Sequence, residues 1–210
     1  MSLFISGTDT NVGKTFAAAV LMARYRDSGP LYWKPVQTGF PPDDDRRTAL
    51  ELSGLREESF LPTGFTFREP LSPHRAAELE GRELSLDELC AKFREYEKRS
   101  SLLVEGAGGL LVPLNRRETW IDFLTELSLP VVLVARTGLG TINHSLLSIE
   151  ILRRNSLKIV GVLFAGPPNE DNMNTVGQMS GIPVLGRIDY RSAADRPEDI
   201  DPNGLLGEYL

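Results

Sequence analysis

The sequence predicts an α/β fold of the doubly wound type, in which helices flank a mainly parallel sheet. Short apolar runs alternate along the chain with longer stretches of helical periodicity. The apolar runs are continuous, which is typical of parallel strands covered on both faces. A length of 210 residues suits one domain, 1–210, because single cores stop growing near ~250–300 residues.

Six apolar runs predict the strands, at residues 3–6, 31–33, 102–104, 130–135, 159–164 and 184–185. Helices are predicted at residues 14–26, 46–53, 86–99, 120–127, 141–155 and 172–180. In the third helix, apolar residues recur every three or four positions, as on the buried face of an amphipathic helix. Cys90 belongs to that face and is interpreted as a packing residue. Residues 40–81 carry five prolines, so this segment is predicted to be mostly loop or short helix.

The bulk composition restricts the class of partner. A net charge of −6 disfavours non-specific binding of nucleic acid or of an anionic membrane. No apolar run approaches the ~20 residues that a membrane-spanning helix needs, and no signal peptide precedes the first strand. A single cysteine leaves no internal disulfide framework. We therefore expect a cytoplasmic protein that binds small molecules.

The segment between the first strand and the first helix has the layout of a phosphate-binding loop. Residues 7–15 read Gly-Thr-Asp-Thr-Asn-Val-Gly-Lys-Thr. In such a loop, backbone N–H groups and a helix N-terminus surround a polyphosphate. Lys14 is placed to reach the terminal phosphates, and the Thr15 hydroxyl to ligate Mg²⁺. The usual leading glycine would stand at Thr8, whereas here Gly7 lies one residue earlier. The fold prediction thus becomes a P-loop NTPase-like domain.

Charged residues follow two other predicted strands. Lys34 directly follows the strand 31–33 and precedes a proline, which places a cation opposite the phosphates. Thr38 is either a turn hydroxyl or a substrate donor. The aspartates 43–45 form either a solvated acidic turn that caps the next helix or a source of a Mg²⁺ carboxylate, and the two roles are compatible. Asp45, which lies nearest the helix, is the favoured Mg²⁺ ligand. Glu105 comes directly after the strand 102–104, as a metal or metal-water ligand, and its following glycines allow close approach of a ligand.

A fourth polar segment opens the helix 141–155. Thr141 is a candidate N-cap, whereas Asn143 and His144 lie in the first turn, where an anionic group is favoured. His74 has no visible metal-ligand partner. The two histidines and the cysteine are too scattered to predict a zinc site.

The chain resembles the dethiobiotin synthetase family in six motifs that follow the family order. These motifs are GTDTNVGKT (7–15), KPVQTG (34–39), PLSPH (70–74), VEGAGGLLVPL (104–114), LGTINHSLLS (139–148) and PVLG (183–186). The resemblance implies an enzyme that uses ATP and Mg²⁺ to close a ring on 7,8-diaminononanoate with CO₂. It implies a route through a carbamate and a carbamic–phosphoric anhydride, with release of ADP and phosphate. It also implies a homodimer with sites at the interface.

The resemblance also implies roles for individual residues. Lys14, Lys34 and Thr38 are expected to be catalytic, with Lys34 near the carbamate. The expected Mg²⁺ ligands are Thr15, Asp45 and Glu105, and the expected substrate contacts are Thr38, Thr10, Gly108 and Asn143, the last from the neighbouring subunit. The expected nucleotide contacts are Thr10, Asn11, Val12, Gly13, Lys14, Thr15, Phe16, Glu105, Gly106, Ala107, Gly108, Ala165, Gly166 and Ile188.

Three departures from the family pattern bear on these expectations. Asn11 stands where many members carry glutamate. An alternative register places Thr48 at the metal aspartate. Ala165-Gly166 replaces the Asn-Asp that reads adenine in some members, so recognition of the base is expected from backbone groups near residues 183–188. We therefore expect ATP as co-substrate, with other nucleoside triphosphates also accepted.

Two other functions share this fold and loop. An amidotransferase of the cobyrinic acid type would normally add a glutaminase domain with a nucleophilic cysteine, whereas this chain has only Cys90. A ParA- or MinD-like switch would carry a second lysine early in the loop, and residues 8–11 contain none. The acidic, proline-bearing tail 197–210 is also poorly suited to anionic lipid.

Overall fold

Six parallel strands form the central sheet of the computed structural model, which describes residues 1–189, 197–201 and 203–210. Their order is β2-β5-β1-β6-β7-β8. The bounds are β1 Leu3–Gly7, β2 Leu31–Trp33, β5 Leu102–Gly109, β6 Val131–Arg136, β7 Ile159–Ala165 and β8 Val184–Ile188. A separate parallel pair consists of β3, Val36–Gln37, and β4, Phe65–Thr66.

Helices connect the strands and cover both faces of the sheet. They are α1 Lys14–Arg24, α2 Asp45–Ser53, α3 Pro73–Leu79, α4 Leu86–Glu97, α5 Trp120–Leu127, α6 Thr141–Arg154 and α7 Glu170–Ser180. Short 3₁₀ turns occur at Arg26–Ser28, Glu57–Ser59 and Pro197–Asp199. Within the described residues, no helix is both long and apolar enough to cross a membrane.

The core lies on both faces of the sheet, which explains why the strands are continuous apolar runs. In β1, Leu3 and Ile5 pack into the cluster that contains the buried face of α1, whereas Phe4 packs on the opposite side. The Phe4 ring lies 5.4 Å from that of Trp120, the first residue of α5. A strand with both faces buried has no polar face to alternate with its apolar one.

The six predicted strands and six predicted helices are all present, and the doubly wound parallel sheet is confirmed. Helix α3 is a short helix of the kind predicted for the proline-rich segment, and Pro73 stands in its first turn, where its missing N–H costs nothing. The strand pair β3 and β4 was not predicted. The strands β3 and β4 are two residues long each, too short to show a periodicity.

The prediction that Glu105 follows its strand was wrong. Strand β5 continues to Gly109, and Glu105 pairs with Ile5 in its middle. The extension arises because Gly109 also pairs with Gly7 of β1, across an irregularity in the register. Glycines at both positions let the two backbones approach closely. The buried carboxylate of Glu105 consequently lies beside the start of the phosphate loop.

Candidate active site

The phosphate loop depends on the absence of a side chain at Gly7. A Cβ there would lie 2.7 Å from the Asp9 carbonyl oxygen and 3.0 Å from Lys14 Nζ. The Lys14 ammonium turns back over the loop and donates to that carbonyl at 3.2 Å. The early glycine of the sequence therefore has a physical reason, because this loop folds its lysine over the end of β1. Asn11 and Gly13 both adopt positive φ angles, 57° and 97°, which curve the loop into helix α1.

A buried ammonium between two carboxylates forms the centre of the site. Lys34 Nζ lies 2.9 Å from Glu105 Oε1 and 2.5 Å from Asp45 Oδ2. It also donates to the Gly106 carbonyl at 3.2 Å. Lys34 is 1% exposed and Glu105 is 0% exposed, so both charges depend on these partners.

The Glu105 carboxylate joins this cluster to the phosphate loop. Its Oε1 accepts a hydrogen bond from Thr15 Oγ1 at 2.9 Å, and its Oε2 accepts one from Tyr32 at 2.8 Å. Burial, reinforced by Glu105, raises the pKa of Tyr32 well above its ordinary value. The structure thus brings together Lys14, Thr15, Lys34, Asp45 and Glu105.

The two lysines are perturbed in opposite directions. Burial alone would lower the pKa of Lys34, but the carboxylates of Glu105 and Asp45 outweigh it and raise that pKa above 10.5. The ion pair therefore stabilises the fold at neutral pH, and this contribution is lost as the pH rises through the folded value. Burial, together with repulsion from Lys34, lowers the pKa of Lys14 to about 8.

Asp45 is held at the start of α2, and capping belongs to its neighbour. The Asp44 side chain accepts the helix-capping hydrogen bond from the Arg47 N–H at 3.0 Å. The Asp45 N–H donates to Gln37 Oε1 at 3.2 Å, which leaves its carboxylate to face Lys34. Burial tends to raise the pKa of Asp45, but the Lys34 ammonium outweighs it and lowers that pKa.

Thr48, the alternative to Asp45 as a metal ligand, points elsewhere. Its hydroxyl donates to the Asp44 carbonyl at 2.9 Å, and its side chain is exposed on α2. The geometry therefore favours Asp45.

The sequence predicted that the glycines after Glu105 allow close approach of a ligand, but Gly106 and Gly109 mainly allow close packing within the protein. A Cβ on Gly106 would lie 2.6 Å from Phe4 Cζ, and one on Gly109 would lie 3.2 Å from the Gly7 carbonyl oxygen. Gly108, with a φ of 70°, is the one beside Thr10, whose Oγ1 would be 3.7 Å from such a Cβ. The Ala107 carbonyl accepts from Trp120 Nε1 at 2.9 Å.

The other predicted contacts lie around this cluster. Thr38 is half-buried at the turn after β3, and its carbonyl accepts from Gln37 Nε2 at 2.8 Å. Thr10 is exposed at the tip of the phosphate loop, Val12 is buried, and Phe16 lies half-buried in α1.

Helix α6 differs from the sequence prediction at its first residue. Its N-cap is Gly140, with a φ of 89°, so the interpretation of Thr141 as the cap was wrong. The positive φ suits a glycine, and Thr141 is instead the first helical residue, with its side chain buried. Asn143 and His144 are exposed, and Asn143 makes none of the hydrogen bonds of the cluster among the described residues.

The ends of β7 and β8 are tied to each other. The Gly166 N–H donates to the Ile188 carbonyl at 3.0 Å, and the Gly166 carbonyl accepts from Arg187 Nη1 at 2.8 Å. The side chains of Ala165 and Ile188 are buried. The sequence has Ala165-Gly166 in place of Asn-Asp at the end of β7. The half-buried Arg187 of β8 is the polar side chain that contacts this position.

Tyr32, Gln37 and Arg46 are site residues that sequence reasoning missed. Tyr32 stands in an apolar run and was assigned to the core of a strand. Arg46 donates to the Phe60 and Leu61 carbonyls, each at 2.7 Å, and so ties the start of α2 to a distant loop. For Tyr32, the available signal was a phenolic hydroxyl inside a strand that ends directly before Lys34, since a buried hydroxyl needs a partner.

Comparison with known proteins first defines the class. The family model for an AAA domain matches residues 1–198. A ParA family ATPase from Chlorobium tepidum TLS superposes with a TM-score of 0.58 at 8% identity, covering 99% of this chain and 95% of that one. The MinD cell division ATPase of Pyrococcus furiosus gives 0.55 at 16% identity, covering 93% and 88%. At these identities the likeness concerns the fold alone, that of P-loop nucleotide-binding proteins.

Curated relatives then define the family. An ATP-dependent dethiobiotin synthetase from Nitrobacter hamburgensis is 43% identical over 188 residues, 90% of this chain and 85% of that protein. One from Leptospira interrogans is 42% identical, covering 89% and 85%. The chain belongs to the dethiobiotin synthetase family, as its motifs predicted. A bifunctional biotin biosynthesis protein of Bordetella avium contains a matching region, 41% identical over 40% of its length.

The lowered pKa of Lys14 predicts how phosphate binding to the loop depends on pH. Affinity for tripolyphosphate without metal is expected to fall as the pH rises from 7.5 to 9.5, because Lys14 loses its proton near about 8. Calorimetric titration measures this dependence. The matched variant Lys14→Arg keeps its charge over this range, so its affinity should change little. Equal pH dependence in both proteins would exclude Lys14 as the titrating group.

Proposed function

We propose that the protein catalyses the ATP- and Mg²⁺-dependent ring closure of 7,8-diaminononanoate with CO₂ to dethiobiotin, with release of ADP and phosphate. The observation that carries the proposal is the buried Lys34 ammonium between Glu105 and Asp45, joined through Thr15 to the phosphate loop. Phosphoryl transfer depends mainly on positioning and on neutralisation of charge, and these residues are suited to both.

The donor set fits a magnesium ion. Mg²⁺ prefers oxygen ligands and is usually held by one or two carboxylates together with substrate phosphates. Thr15 Oγ1, Glu105 and Asp45 offer a hydroxyl and two carboxylates at the start of α1, where phosphates are favoured. The ion would supply charge neutralisation on the triphosphate. The same two carboxylates pair with Lys34. Once they bind the ion, Lys34 would be free to turn its ammonium toward the substrates.

The chemistry needs cations at two places. CO₂ adds to one amine of the substrate, which loses a proton and becomes a carbamate. A carbamate oxygen then attacks the γ-phosphorus, the bond to ADP breaks, and a carbamic–phosphoric anhydride forms. The second amine attacks the carbamate carbon, loses a proton, expels phosphate and closes the cyclic urea. Lys34 stays protonated and stabilises charge on the carbamate and the transferred phosphoryl group, whereas Lys14 covers the phosphate oxygens.

We further propose a homodimer in which Asn143 contacts the substrate carboxylate of the neighbouring subunit. Two large apolar side chains close to Asn143 in the sequence support an interface there. Leu139 precedes α6 and is 100% exposed, and Leu147, one turn after Asn143 in α6, is 57% exposed. Large exposed apolar groups favour association. Sedimentation of the wild-type protein tests this, and a monomer at assay concentrations would contradict it.

Product formation tests the assignment directly. The protein is incubated with diaminononanoate, bicarbonate, Mg²⁺ and a nucleoside triphosphate, and the cyclic urea is detected by mass. We expect product with ATP, and also with CTP and GTP, because Ala165-Gly166 offers no side-chain amide to select adenine. Absence of product with every nucleotide would refute the proposed function, whereas strict dependence on ATP would refute only the loose selectivity.

Replacing Lys34 tests the group that carries the proposal. We expect Lys34→Ala to reduce turnover by about 10²–10³-fold, the usual loss when one electrostatic contact to a transition state is removed. Glu105 then lacks its buried partner, so the variant should also unfold at a lower temperature. Turnover is measured at a temperature where circular dichroism shows it folded. Lys158→Ala, which removes an exposed lysine paired with Glu208, is the matched control. Near-normal turnover of Lys34→Ala would remove Lys34 from the mechanism.

A further inference from the structure

Tyr32 is a fully buried tyrosine beside the site that the mechanism does not use. It is the second residue of β2, with 0% of its surface exposed. Its ring packs against that of Phe60, with centroids 5.1 Å apart, and its carbonyl accepts from the Leu61 N–H at 2.9 Å. Backbone and ring are thus both fixed, and the direction of the hydroxyl is fixed with them.

The hydrogen bond from Tyr32 gives the two oxygens of the Glu105 carboxylate different partners. It donates to Oε2 at 2.8 Å, whereas Oε1 receives the hydrogen bonds of Thr15 and Lys34, both at 2.9 Å. The last torsion of a glutamate side chain is soft and roughly two-fold, so hydrogen bonds decide the plane of its carboxylate. With Oε2 held from behind by Tyr32, Oε1 is the oxygen directed at the phosphate loop.

We propose that Tyr32 is a positioning residue that holds Glu105 in the orientation that binds magnesium, and thereby sets the affinity of the nucleotide complex for the metal. This inference rests on the magnesium site of the proposed function. Hydrogen-bond partners behind a metal ligand fix its orientation, and their loss typically weakens metal binding by about 10–100-fold. Without the hydroxyl, Oε2 would be buried without a donor, and the carboxylate would turn toward Lys34, the adjacent cation.

The segment that packs on Tyr32 also supports the second carboxylate. Phe60 and Leu61 contact Tyr32, and each of their carbonyls accepts a hydrogen bond from the Arg46 guanidinium, which also pairs with Glu57. Arg46 directly follows Asp45 at the start of α2. The loop at residues 60–61 therefore holds both Tyr32, which binds Glu105, and the start of α2, which carries Asp45. The distance between the two carboxylates depends on this loop.

Removal of the hydroxyl alone tests the proposal. Tyr32→Phe keeps the ring and its contact with Phe60, and Tyr25→Phe is the matched control. The Tyr25 hydroxyl also donates to a buried carboxylate, that of Asp201 at 2.5 Å, but on the C-terminal segment. Electron paramagnetic resonance of free Mn²⁺ measures metal binding to each protein in complex with a non-hydrolysable ATP analogue. We expect about tenfold weaker Mn²⁺ binding in Tyr32→Phe and wild-type binding in Tyr25→Phe.

Two further readouts separate positioning from a general loss of structure. Affinity for the analogue without metal should be the same in all three proteins. The Mg²⁺ concentration for half-maximal turnover should rise in Tyr32→Phe by the same factor as Mn²⁺ binding weakens, with kcat restored at saturating Mg²⁺. Unchanged Mn²⁺ affinity would overturn the proposal, as would a lowered kcat that Mg²⁺ does not restore.

The failure of this inference is distinguishable from the failure of the proposed function. If the wild-type nucleotide complex does not retain Mn²⁺, the proposed metal site itself is wrong. Should Tyr32→Phe fail to fold, Phe60→Leu provides a second variant, which keeps the hydroxyl but loosens the ring that carries it. We expect a smaller loss of Mn²⁺ affinity in Phe60→Leu, and wild-type affinity there would also overturn the proposal.

Discussion

The buried ion pair of Lys34 and Glu105 is the interaction on which the rest of the site depends. An ammonium and a carboxylate without solvent are costly to bury, and they remain charged only when their other hydrogen-bonding positions are satisfied. Here Asp45 and the Gly106 carbonyl complete the shell of Lys34, while Thr15 and Tyr32 complete that of Glu105. Every one of these partners comes from a different part of the chain, so the pair ties the site together.

The parallel sheet makes this arrangement possible because it sets side by side strands that are distant in sequence. Strand β5 lies between β2 and β1, so Glu105 is placed between Lys34 and the phosphate loop by the strand order itself. The close pairing of Gly7 with Gly109 extends β5 beside the loop. Glycines that resemble ligand-binding positions in the sequence therefore also serve to bring two backbones together.

The sequence was sufficient to predict the strand and helix pattern and the phosphate loop, because these follow from periodicity and from a recognisable loop motif. It was insufficient where a role depends on a side chain's partner. Tyr32 has the pattern of a core residue, and only its distance to Glu105 distinguishes it. Asp44 and Asp45 are alike as residues, and the helix start alone separates capping from ion pairing. The strands β3 and β4 pair with each other, but each is too short to leave a periodic signal in the sequence.

The central claim is that the pKa values of two lysines in one site are shifted in opposite directions, and direct titration of each lysine tests it. Protein labelled with ¹³C at the lysine ε-carbon is followed by NMR from pH 6 to 12, with Lys34 and Lys14 assigned by substitution. The account predicts that Lys34 remains protonated beyond 10.5, that Lys14 titrates near about 8, and that Glu105→Gln lowers the pKa of Lys34. A Lys34 resonance that titrates below 10.5 in the wild-type protein would contradict it.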